Sequence, residues 1–358
     1  MATDESCLPI PEKITSIPGK YAKDLRKFQG IPSIERTANG RLWATWYGGG
    51  EGEGPDNYIM LATSADDGQS WSDLKLVIDP PCRASEPGLW YDPQGCLWLM
   101  WNQYPTSLCE SNSAMWAIVA SDSGCESPAW SHPRLVAREL NSFNKPIVLS
   151  DGTWIWPTGS WYKPNPSRPL ISHDNGRTFL RGGVITVPEG REFDEYNVVE
   201  LRDGDLWLLN RTSQGMVESF STDKGLTWTV AKPSKIKHAT SRHFLTRLRS
   251  GNLLLVKHGA IDQRIDRSHL MAFLSEDEGY TWSDGLLLDE RKDVSYPDGV
   301  QAEDGTIYVI YDFERAGAKE ILMARFTEDD IARGKPDSDT ALRLLVNKAS
   351  GESRNEVK

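Results

Sequence analysis

Six times along the chain a turn glycine is followed by an apolar run of period two: NGRLWATW (Asn39–Trp46), QGCLWLMW (Gln94–Trp101), DGTWIWP (Asp151–Pro157), DGDLWLLN (Asp203–Asn210), SGNLLLV (Ser250–Val256) and DGTIYVIY (Asp304–Tyr311). Each predicts a two-residue turn feeding a strand with one face buried. The turn glycines, Gly40, Gly95, Gly152, Gly204, Gly251 and Gly305, recur at roughly 50-residue steps, the length of one four-stranded propeller blade. The pattern therefore predicts an all-β, six-bladed propeller. It forms a single domain over residues 1–358, with short tails at about 1–19 and 337–358 and no long helix.

A second repeat runs out of phase with the first. The skeleton S-x-D-x-G-x-[ST]-[WF] occurs at Ser64–Trp71, Ser172–Phe179, Ser221–Trp228 and Ser275–Trp282. A damaged copy begins at Ser121 and reaches its aromatic late, at Trp130, and the last blade offers only Thr327-Glu-Asp-Asp330. An Asp carboxylate closes such a turn by accepting backbone N–H groups one or two residues on, Gly takes the positive φ, and the aromatic covers the hairpin edge. These copies are structural staples at the periphery.

Composition narrows the classes further. A net charge of −11 without a basic run argues against nucleic acid or an anionic membrane as partner. Fourteen Trp and eleven Tyr suit strand packing and a sugar-contacting surface alike. Of the five Cys, Cys82, Cys96, Cys109 and Cys125 fall in the second blade without zinc-site spacing, and read as small buried residues of a reducing compartment. The start, MATDESCLPIPEK, has no apolar run that could act as a signal peptide, so a cytoplasmic location is expected for the chain as given.

Candidate chemistry lies at strand ends and in one loop. Gly48–Asn57 is glycine-rich and carries Glu51, Glu53 and Asp56. Lys145 precedes Pro146 at an inner-strand start, where a lone Lys is ordinarily solvated. The segment FDEYNVVELRDG sets Glu195, Asn197 and Val199 on one face of a strand and Tyr196, Val198 and Glu200 on the other. Arg211 ends the next strand of that hairpin, within reach of Glu195 for an ion pair or a shared site. Arg242 and Arg267 follow in the fifth blade. Tyr296, held extended by Pro297, opens the sixth, and Arg315 closes it.

Together these pieces resemble the sialidase superfamily, over nearly the whole chain. The resemblance implies a retaining, exo-acting glycoside hydrolase that releases a terminal sialic-acid-like or other acidic sugar. It matches E-x-x-V-x-E-L-x-D-G at Glu195–Gly204, placing Glu195 as the base that activates a tyrosine nucleophile, Tyr296. It places Asp56 as acid/base, and Arg211 and Arg267 as two arginines of a carboxylate clamp. The family's opening F-R-I-P reads Phe28-Gln-Gly-Ile-Pro32 here, so Gly30 stands where the first clamp arginine is expected, and Lys145, Arg242 or Arg315 is left to supply that cation. Guanidinium forks suit a sugar carboxylate, and a neutral Tyr avoids the repulsion that a carboxylate nucleophile would meet there. No metal or other cofactor is called for. Two other readings stay open: a lyase acting on a uronate, and a glycan-binding propeller without catalysis. The oligomeric state is not legible.

Overall fold

The computed structural model describes residues 9–104, 113–161, 165–337 and 339–352. They build six antiparallel sheets of four or five strands, taken up nearly in sequence order, and a two-stranded one of Asn141–Ser142 and Thr158–Gly159 whose second strand interrupts the third of the six. The first runs Phe28–Arg36, Leu42–Gly49, Tyr58–Ser64 and Leu76–Ile78, with Lys13–Ile14 added at its outer edge. The second runs Arg83–Tyr91, Leu97–Tyr104, Ala114–Ala120 and Arg134–Arg138. The third is short-stranded: Ile147–Val148, Trp154–Trp156, Leu170–Ser172 and Leu180–Arg181. The fourth runs Arg191–Glu200, Leu206–Thr212, Gly215–Ser221 and Lys232–Pro233. The fifth runs Phe244–Arg247, Leu253–His258, Leu270–Ser275 and Leu286–Asp289. The sixth runs Val294–Gln301, Ile307–Phe313, Glu320–Phe326 and Ala341–Lys348.

By contact the chain groups into two compact units, one of Met1–Asn141, Val309–Met323 and Arg343–Lys358, the other of Ser142–Tyr308 and Ala324–Leu342. In the first, the apolar run Leu42–Tyr47 puts Trp43, Trp46 and Tyr47 out of reach of water, and Trp101 is sealed in the second sheet. In the second, the alternation in Arg191–Glu200 sends side chains into two cores. Tyr196 and Val198 join Ile155 and Leu208, while Val199 joins Leu209 and Leu253. Each aliphatic side chain so buried is worth roughly 1.5–3 kcal/mol.

The turns differ in detail from expectation. All six turn glycines are left-handed, from φ 81° at Gly95 to 91° at Gly251 and Gly305. The turns hold three residues, however, rather than two. In the first, Thr37 N donates to Arg41 O and Gly40 N to Thr37 O, and the same pair of bonds recurs at Asp92/Cys96, Leu149/Thr153, Leu201/Asp205, Leu248/Asn252 and Ala302/Thr306. This is a type I turn closed by a left-handed residue, which matches the strand twist as a two-residue type I turn would not.

In the S-x-D-x-G turns the Asp accepts from farther along the chain than one or two residues. Asp223 Oδ1 takes the Thr227 N–H at 2.8 Å and Oδ2 the Thr227 hydroxyl at 2.6 Å, while Ser221 Oγ accepts from Gly225 N at 2.8 Å. The copies at Asp66, Asp174 and Asp277 repeat these bonds. Thr327–Asp330 is not a turn of this kind. Thr327 caps the helix Glu328–Arg333, its hydroxyl accepting from Asp330 N while Asp330 reaches back to Thr327 N. Cys82 is buried, but Cys96 is only partly so and Cys125 is exposed; Cys109 lies outside the described residues.

Candidate active site

Three inner strands, Phe28–Arg36, Arg83–Tyr91 and Arg191–Glu200, are bulged near their starts. On Arg191–Glu200 the pairing register shifts between Arg191 and Tyr196, with Phe193 and Asp194 at φ 62° and 47°. Asp194 locks that shape, accepting from Arg191 Nε at 2.6 Å and Ser167 Oγ at 2.5 Å. Glu195 is thereby fixed beside Arg211 across the hairpin, with Arg211 Nη1 donating to Glu195 Oε2 at 2.5 Å.

Tyr296 shares the left-handed backbone of that bulge. Its backbone is not extended, as a residue before proline is expected to be, but left-handed at φ 54°. Ile31 before Pro32 and Glu86 before Pro87 do the same, at φ 53° and 51°, where the ladder shifts between Gly30 and Ser33 and between Ser85 and Gly88. Such a residue leaves the pleat and points its side chain elsewhere, at a cost of order 1–3 kcal/mol that the surrounding fold sustains.

Around Tyr296 the second unit gathers three guanidiniums. Arg211 Nη1 donates to the Tyr296 hydroxyl at 2.9 Å, so the phenol and Glu195 meet at one nitrogen. Arg242 and Arg267 lie 4.8 Å and 5.2 Å from the centre of the Tyr296 ring, and Phe193 lies 4.6 Å from the Arg211 guanidinium. Glu195 is 1% exposed and Tyr296 6%. Burial pulls the Arg211 guanidinium down, but Glu195 and Tyr296 outweigh it and hold Arg211 above its ordinary value. Among the described residues no hydrogen bond joins Glu195 directly to Tyr296; Arg211 stands between them.

Arg211 and Arg267 also wall a cavity of about 460 Å³, together with Glu192, Thr240, Arg264 and Lys292. Thr240 ties the wall together, its carbonyl accepting from Arg267 Nη2 at 3.3 Å and its hydroxyl from Arg211 Nε at 3.4 Å. Arg211 Nη2 and Arg267 Nε and Nη1 make no hydrogen bond among the described residues.

The three cations left open for the place of the missing arginine separate clearly. Arg242 joins the Tyr296 ring, with Nη1 committed to the Phe143 carbonyl at 2.5 Å. Lys145 is not solvated; its side chain is 14% exposed and pairs with Asp298 at 3.4 Å. Arg315 belongs to the first unit, where its side chain fills the space in front of Gly30. A Cβ at Gly30 would lie 2.7 Å from Arg315 Cγ and Cδ. Asp56 is in the first unit too, exposed in the turn before Tyr58–Ser64. Sequence reasoning missed Thr240, Arg264 and Lys292. They come from loops with no motif, and only the folded chain lines them up.

The BNR repeat-like domain profile matches residues 40–309. No curated protein matches the chain. Solved structures share the fold at low identity. The Hadza microbial sialidase Hz136 superposes with TM-score 0.71 at 19% identity, covering 86% of this chain and 67% of its own. The leech intramolecular trans-sialidase, complexed with 2,7-anhydro-Neu5Ac, gives 0.67 at 13%, over 87% and 69%. An alpha-L-arabinofuranosidase from Fusarium graminearum, in complex with an iminosugar inhibitor, gives 0.63 at 12%, over 90% and 98%. The fold is thus sialidase-like and shared with glycoside hydrolases, and the chain belongs to the BNR repeat-like domain family.

Proposed function

We propose that the protein is a retaining, exo-acting glycoside hydrolase that removes a terminal acidic sugar from a glycan. The observation that carries this reading is the Tyr296 hydroxyl, hydrogen-bonded by the guanidinium that also holds Glu195, with two more arginines on its ring. Positive charge on several sides stabilises the negative charge that develops on the phenol oxygen as its proton leaves, which makes it a better nucleophile towards an anomeric carbon. Glu195 is the base for the phenolic proton. The proton passes directly to Glu195 once a substrate carboxylate draws Arg211 aside, since catalytic contacts tighten on binding and the guanidinium, which stays charged, does not relay it. Arg211 Nη2 and the open donors of Arg267 supply a two-arginine grip on that carboxylate.

The acid/base role rests on sequence alone and stays with Asp56, as does the reading of the six sheets as six propeller blades. In this reading the clamp has two forks, Arg211 and Arg267, rather than three, with Arg242 packed on the Tyr296 ring. Each charge-assisted contact is worth roughly 1.5–3 kcal/mol, so a sialic acid glycoside should bind about ten- to a hundredfold more weakly than a three-arginine site allows.

The test is a panel of 4-methylumbelliferyl glycosides of N-acetylneuraminic acid, glucuronic acid, iduronic acid and L-arabinofuranose. An acidic glycoside other than the sialoside should turn over fastest, and Tyr296→Phe should lower that rate on the order of a hundredfold or more. Turnover of the arabinofuranoside alone, or an unsaturated product absorbing in the ultraviolet, would contradict the proposal.

A further inference from the structure

Beside the site the second unit buries three histidines that the chemistry above leaves unused. His238, His243 and His258 have no exposure to solvent. The rings of His238 and His258 stack, with 5.2 Å between centres and 19° between planes, and His243 meets His238 edge-on at 5.9 Å.

Each ring of the stacked pair holds backbone next to a different part of the site. His258 Nε2 donates to the Val294 carbonyl at 2.8 Å, two residues before Tyr296. His238 Nε2 donates to the Ser241 carbonyl at 3.1 Å. Ser241 stands between Thr240, which accepts from both Arg211 and Arg267, and Arg242, which lies on the Tyr296 ring. The His258 N–H joins the two rings, donating to His238 Nδ1 at 3.4 Å. Resting on the reading of Tyr296 as nucleophile, we propose that His238 and His258 are positioning residues, a neutral stacked pair that holds the tyrosine strand and the arginine loop in register.

The partners fix the form of both rings. A carbonyl oxygen only accepts, so Nε2 carries the hydrogen in each. A backbone N–H only donates, so His238 Nδ1 carries none, and His258 Nδ1 has no partner among the described residues. The charged groups that face the three histidines are Lys257, Arg211, Arg242 and Arg267, all cations, and burial together with them keeps the rings unprotonated. A lysine or arginine in place of either histidine would bury a further positive charge among these four. An imidazole orients the backbone without adding one.

Two bonds reach the segment just before Tyr296. Asp293 N donates to Arg267 O at 2.7 Å, and His258 donates to Val294 O. The first is backbone to backbone, and no change of side chain removes it directly. The second depends on one ring. A displacement of about 1 Å at a nucleophile, caused by a change away from the reacting atoms, costs on the order of a hundredfold in rate.

The test compares His258→Leu, which keeps bulk and loses the donor, with His258→Gln, whose amide N–H stands near the place of Nε2. In the full chain without substrate, amide exchange at residues 294–298 should speed about tenfold or more in His258→Leu and stay within about threefold of the parent in His258→Gln. Exchange in Leu270–Ser275 should match the parent in both. On the best acidic glycoside, kcat should fall about tenfold to a hundredfold in His258→Leu and return to within about threefold in His258→Gln. His238→Leu acts at the arginine end, so it should raise KM about tenfold. Where His258→Leu does not fold, His258→Asn, whose amide is too short to reach Val294, takes its place with the same expectations. Unchanged exchange at residues 294–298, a kcat that follows the unfolding midpoint and not the donor, or a KM unmoved by His238→Leu would overturn the proposal. Absence of turnover by the unaltered chain would overturn the hydrolase reading and not this tie, which the exchange measurement judges without substrate.

Discussion

Arg211 carries more of the second unit's chemistry than any other side chain, because one of its nitrogens serves both Glu195 and Tyr296. A buried pair of this kind stabilises little by existing but costs much when half of it is lost. Glu195→Leu should therefore destabilise the protein by about 3–5 kcal/mol, and Glu195→Leu with Arg211→Met should recover most of that, as thermal unfolding would show. A double variant no more stable than the single one would mean that the pair does not carry this charge balance. The pair was legible in sequence from the hairpin that joins positions 195 and 211. Arg242 on the Tyr296 ring was only one of three open choices, and the buried Arg83 was not legible at all, since an arginine in sequence looks like surface. The left-handed backbone of Tyr296 was hidden too, because proline preference argues for extension.

At the level of elements, the repeated turns were the most legible part of the chain, since Gly at a positive φ and Asp at a turn are local requirements. Their bond patterns were less so. Thr327–Asp330 shares the residue types of the staples but caps a helix, because Asp330 falls at the third helical position and reaches back to Thr327. The staples are stability devices in this account. Asp223 loses its bonds to the Thr227 N–H and hydroxyl in Asp223→Ala. That variant should lower stability by about 1–3 kcal/mol while kcat on the best acidic glycoside stays within about twofold of the parent. A large loss of kcat at full stability would instead put this turn in the function.

Over the whole molecule, pH should act through buried bases. Burial holds His243 and His258 down to about 3 and His238 well below its ordinary value. Burial likewise brings Lys257 down to about 7, its ammonium meeting the carbonyls of His258, Gly259 and Ala260. A base with a lowered folded pKa is protonated in the unfolded chain first. Stability is therefore lost as pH falls from about 6.5 towards 3, by roughly 2 kcal/mol per histidine at pH 5. Lys257 has the same sign between about 7 and 10.5. The staple carboxylates Asp66 and Asp174, held down to about 2 by hydroxyl and backbone donors, add a later loss below pH 4. Unfolding midpoints that stay level from pH 7 to pH 5 would contradict the histidine contribution.

The central claim is that Tyr296 carries the sugar during turnover, and the most direct measurement is mass spectrometry of the protein, acid-quenched during reaction with an activated fluoride of the best acidic sugar. The account predicts a glycosylated peptide containing Tyr296, absent from Tyr296→Phe. An adduct on Glu195 or Asp56, or none alongside a product of inverted configuration, would contradict it.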